Sequence, residues 1–69
     1  MRIRIYPKIA GVRPMLFAEV ENIEINRDGN KWSIEFDHVD HINKDRKVDA
    51  HSHFTSESTM AYTILAEHL

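Results

Sequence analysis

The tetrapeptide Arg27-Asp28-Gly29-Asn30 constrains this chain more than any other segment. Asp-Gly supplies a positive φ at little steric cost, and apolar alternation flanks it on both sides. Ile23 and Ile25 come before it. After it, Trp32, Ile34 and Phe36 fall on one side of an extended chain, and Lys31, Ser33, Glu35 and Asp37 on the other. A repeat of two residues with one apolar side is a half-buried strand, so this region reads as a β-hairpin whose inner face belongs to a core.

Alternation recurs at the start of the chain. In residues 2–9, Ile3, Ile5 and Ile9 point one way, while Arg2, Arg4, Tyr6 and Lys8 point the other. Pro7 lacks a donor N–H, so this strand is expected at a sheet edge or kinked at that residue. Ala10-Gly11-Val12-Arg13-Pro14 reads as a turn. Residues 15–26 change phase: Leu16, Ala18 and Val20 share one side, and Ile23 and Ile25 take the other. A strand with a bulge near Glu21-Asn22 reconciles the two sets. A short helix starting at Pro14 is the competing reading.

Residues 40–47 are polar and charged and read as a loop. Val48, Ala50 and Phe54 then share one phase, with Asp49, His51 and His53 in the other, which gives a fourth strand. Thr55-Ser56 followed by Glu57 resembles a helix start, and Met60, Ala61, Ile64, Leu65 and His68 recur at helical spacing. His68 reads as a partly buried residue capping the last turn of that helix. The expected architecture is α+β: a four-stranded antiparallel meander with one C-terminal helix packed on one face, in one small domain of residues 1–69.

Composition limits what such a fold can be. A chain of 69 residues suits one domain, and its 18 Ile, Leu, Val and Phe residues suffice for one small core. A dimer that hides further apolar surface suits so small a core. With no cysteine, disulfide frameworks and thiolate zinc sites are excluded. No apolar run reaches the ~18 residues of a membrane span, and Met1–Ile5 alternates where a secretory leader would be continuously apolar. The expectation is a soluble cytoplasmic chain with no membrane partner.

The polar side of the expected sheet grades from basic (Arg2, Arg4, Tyr6, Lys8) through acidic (Glu19, Glu24, Glu35, Asp37) to histidine-bearing (Asp49, His51, His53). Cross-strand charge pairing accounts for most of that pattern. Five histidines in the chain also raise a metal reading. His51 and His53 lie on one strand face, with Asp49 in phase and His38 at the start of the adjoining loop, a donor set suited to a divalent transition metal. A His-x-His pair is common by chance, and solvated surface histidine is the simpler reading.

Three functions follow in order. No cysteine nucleophile, Gly-rich phosphate loop or serine elbow points to an enzyme. Contact with another protein is the leading reading, through an edge strand, the charged sheet face with Glu35 and Asp37, or the 40–47 segment. Binding of single-stranded nucleic acid through Arg2, Arg4, Tyr6 and Lys8 is the second, and a net charge of −2 argues against it. Metal binding through His51 and His53 is the third. Under any of them, histidine titration makes association pH-sensitive between about pH 5 and 7.

Overall fold

The computed structural model describes residues 1–66. Six strands form two antiparallel sheets: β1 (Arg2–Pro7), β2 (Met15–Phe17), β3 (Glu21–Asp28), β4 (Lys31–Asn43), β5 (Arg46–Thr55) and β6 (Thr59–Leu65). One sheet has the order β2-β1-β6, the other β3-β4-β5. The sheets face each other across a core of Ile3, Ile5, Val20, Ile34 and Phe36, with Phe17, Ile23, Trp32, Phe54 and Tyr62 packed against it. Aromatic rings bridge the two layers. Phe17 meets Phe36 edge-on at 5.1 Å, and Trp32 meets Tyr62 at 5.0 Å.

The architecture is therefore all-β, which corrects the expected meander with a C-terminal helix. No helix occurs among the described residues. The segment read as helical is β6, paired antiparallel with β1 from Arg2↔Leu65 to Tyr6↔Ala61. Its Thr59, Tyr62, Thr63 and Ile64 are strand formers, and pairing supplies β1 with a neighbour that a helix could not. Ser56 acts at a turn. Its Oγ accepts from the Trp32 N–H at 3.1 Å, and its own N–H donates to the Trp32 carbonyl at 2.9 Å. The expected role of His68 lies outside the described residues.

Ile3 and Ile5 are fully buried, as their alternation requires. Pro7 ends a central strand, not an edge one, at the register shift between Tyr6 and Pro7. Ile9 lies beyond the strand and is exposed. The phase change in 15–26 has a different cause from the one expected. β2 and β3 belong to different sheets, and the chain crosses between them at residues 18–20. Neither one bulged strand nor a short helix spans the region. An irregularity does lie between Glu21 and Glu24, where Asn22 takes a φ of 54°.

The β3–β4 hairpin is present, with Gly29 and Asn30 as its loop residues. Gly29 has a φ of 61° and Asn30 has none of the positive φ of a type I′ turn, so the signs match type II′, where glycine takes the first loop position. The expected loop at 40–47 is instead the end of a second hairpin. β4 runs to Asn43, β5 starts at Arg46, and Lys44-Asp45 makes the turn. β3 accompanies β4 only as far as Asp37, so beyond it β4 and β5 continue as a two-stranded arm. Every residue from Asp40 to Asp49 is exposed.

Candidate functional site

The outer face of β3-β4-β5 carries the densest set of ionisable side chains. Alternation sends Ile34, Phe36 and His38 inward and Glu35 and Asp37 outward on β4. Register then places His53 opposite Glu35 and His51 opposite Asp37. From β3, Glu24 stands opposite Glu35 and Glu21 opposite Asp37. The outward phase expected for Asp49, His51 and His53 is the one observed, and all three are exposed.

His51 sits between two carboxylates. Its Nδ1 donates to Asp37 Oδ1 at 2.7 Å and its Nε2 to Glu35 Oε2 at 3.1 Å. With both carboxylates ionised, only the imidazolium satisfies both contacts together. The hydrogen bonds to Asp37 and then Glu35 raise the His51 pKa above its ordinary value. Asp37 is lowered, first by the Asn22 side-chain amide, whose Nδ2 donates to Oδ2 at 2.9 Å, and then by His51. Glu35 is lowered by His51 and by a hydrogen bond shared with Glu24, and that same contact raises Glu24. A chain of polar contacts thus runs Asn22–Asp37–His51–Glu35–Glu24.

Beside this chain lies an open hollow of about 550 Å³, lined by Glu19, Glu21, Asp37, Asp49, His51 and neighbouring residues of β4 and β5. Glu19 belongs to the crossing between sheets and has a φ of 52°, a left-handed conformation that costs a side-chain-bearing residue about 1–2 kcal/mol. Its carboxylate reaches the outer half of the arm, 3.7 Å from Lys47 Nζ and 3.8 Å from His41 Nε2. Among the described residues, Glu21 and Asp49 have no ion-pair partner.

His38 does not join this face. It is in a strand, not in a loop, and only 4% exposed. Its ring packs edge-on to Phe17 at 4.7 Å, and Nε2 shares a 2.7 Å hydrogen bond with Ser52 Oγ. Nδ1 lies 3.3 Å from an Asp40 carboxylate oxygen without hydrogen-bonding alignment, leaving that buried nitrogen without a hydrogen-bond partner. Its phase, shared with Ile34 and Phe36, was the available signal for burial. Of the expected metal set, His51, His53 and Asp49 face outward and His38 inward, although His38, Asp49 and His51 all line the hollow. Among the described residues no group of three or more His, Asp or Glu side chains is arranged to hold a metal ion.

The basic residues are separated too. Arg2, Arg4 and Tyr6 occupy the outer face of β1, on the opposite side of the core from Glu35 and Asp37, and Lys8 lies just past the strand end. The single graded face is thus divided between two sheets. Arg4 Nη1 makes a long 3.5 Å contact with the Tyr6 hydroxyl, and hydrogen bonds to Arg4 and Thr63 lower the Tyr6 pKa. Sequence reasoning missed Asn22 and Glu21 as members of the acidic face. The phase change near Glu21-Asn22 marked the position, but register alone assigns their partners. Among the described residues, no helix is long and apolar enough to cross a membrane. No family model matches the chain, and neither the curated proteins nor the solved structures contain a detectable match to it.

Proposed function

We propose that this chain is a non-enzymatic protein-binding module. It receives a Lys/Arg-rich segment of another protein in the acidic hollow beside the β4–β5 arm. The observation that carries this reading is the convergence of Glu19, Glu21, Asp37 and Asp49 on one open depression, with Glu21 and Asp49 unmatched by any cation among the described residues. Opposite charge across an interface steers encounter and fixes register. The arm flanks the hollow and offers exposed Ile42 and Val48 as apolar contacts. Both ring nitrogens of His51 face carboxylates of this chain, which supports a charge-pairing role for the ring.

A labelled Lys/Arg-rich peptide titrated against the protein tests the reading. Binding is expected to weaken with added salt and to strengthen as pH rises through the raised His51 pKa, because losing the imidazolium makes the face more negative. Replacing both Glu21→Gln and Asp49→Asn is expected to weaken binding by about tenfold or more. Unchanged affinity in that double variant overturns the proposal. So does preferential binding of a single-stranded oligonucleotide that is lost in Arg4→Ala, which assigns function to the opposite, basic face.

A further inference from the structure

Four strands end a sheet: β2 and β6 in one, β3 and β5 in the other. An edge strand presents unpaired N–H and C=O groups to any other extended chain, and soluble proteins usually defend it. Three of these edges are defended. β2 is only 3 residues long and follows Pro14. β3 carries Glu21, Glu24, Arg27 and Asp28 and is broken by the irregularity at Asn22. β5 carries Arg46, Lys47 and Asp49.

β6 is different. Its 7 residues, Thr59-Met60-Ala61-Tyr62-Thr63-Ile64-Leu65, include no charge, proline or glycine. Register with β1 shifts only at its start, so residues 61–65 form a regular strand. Among the described residues, no strand pairs with its other side. Met60 is 66% exposed and Ile64 39%.

We infer that β6 is a self-association edge, whose occupant is β6 of a second copy running antiparallel about a two-fold axis at Thr63. That axis sets Thr63 opposite Thr63 of the second copy, Tyr62 opposite its Ile64, and Ala61 opposite its Leu65. Tyr62 and Ile64 share the inner phase, and Ala61, Thr63 and Leu65 the outer one, so every pair meets on one face of a continuous sheet. Thr–Thr and aromatic–β-branched pairs are favourable cross-strand neighbours. With no charge on the strand, self-pairing brings no like charges together. The two-fold arrangement is closed, so association stops at the dimer. Sheet β2-β1-β6 then continues into β6-β1-β2 of the second copy. This inference does not depend on the acidic hollow, which lies on the other sheet.

Sedimentation of the full chain from about 10 to about 500 μM is the test. A monomer–dimer equilibrium is expected in that range. Thr63→Lys and Thr63→Glu each place like charges opposite each other and are expected to raise the dimer Kd by about tenfold or more. An equimolar mixture of the two variants is expected to restore dimers, because the opposed charges are then opposite in sign. Thr63→Val is expected to keep the dimer. Amide hydrogen exchange of residues 61–65 in the wild-type chain is expected to slow as concentration rises, a readout independent of whether the charged variants fold. A monomer throughout the range overturns the inference, as does a dimer insensitive to both charges, a mixture that stays monomeric, or exchange at 61–65 that ignores concentration. Stoichiometric pairing of β6 with a strand of a different protein, in place of itself, also overturns it.

Discussion

His51 and His38 stand on opposite faces of the same pair of strands and put the same side chain to opposite uses. His51 is exposed and, when protonated, is paired with both Asp37 and Glu35. Because its pKa in the fold is raised, its stabilising effect is complete below the ordinary value near 6.5 and is lost as pH rises through the raised one. The lowered pKa values of Asp37 and Glu35 act the other way: their effect is present above their ordinary values of 3.8 and 4.5 and is lost as pH falls through the lowered ones. Thermal stability measured by calorimetry should therefore peak between about pH 5 and 6.5 and decline above that, by no more than about 5 °C for exposed groups. His51→Gln should flatten the decline on the alkaline side. His38 is buried with one nitrogen lacking a hydrogen bond, and removing its partner Ser52 alone would orphan the other. Ser52→Ala is expected to cost about 1–3 kcal/mol in urea unfolding. His38→Phe combined with Ser52→Ala is expected to recover most of that loss, since both polar partners are then replaced together.

Legibility at the scale of elements followed exposure of the two strand faces. β1, the β3–β4 hairpin and the phase of β5 could be read because one face of each is buried, so apolar residues mark every second position. The arm could not. From Asp40 to Asp49 both faces are wet, no alternation is imposed, and a polar run looks like a loop even while its backbone is paired. β6 failed for another reason. Met60, Ala61, Ile64 and Leu65 fit a helical stripe as well as they fit a strand, and the deciding influence was the need of β1 for a partner about sixty residues away. The site was half legible on the same grounds. The outward set of Glu35, Asp37, His51 and His53 follows from phase, whereas their pairing with β3 depends on a register that Asn22 resets. Replacing residues 41–48 by an Asn-Gly turn removes the arm without touching the core. The shortened protein should keep its circular dichroism spectrum and its unfolding midpoint within about 5 °C, because exposed residues contribute little burial, yet bind the basic peptide more weakly.

At the scale of the whole molecule, the core is small enough for single side chains to decide whether the protein folds. Phe36 is fully buried and touches Phe17, His38 and Phe54 from three strands. Phe36→Ala is expected to cost about 3–5 kcal/mol, comparable to the entire stability of a domain this size, and to leave the chain largely unfolded by circular dichroism at 37 °C. The order of strands has a further consequence for how the chain is made. The β3-β4-β5 meander uses neighbouring segments and closes early during synthesis, but β1 is flanked by β2 and β6, and β6 comes after all the other described strands in chain order. Until it is made, Ile3 and Ile5 have only half of their shelter, and the apolar face of the meander remains uncovered on the ribosome. Docking of the two sheets therefore waits until β6 has been made, and the apolar faces are open to aggregation up to that point.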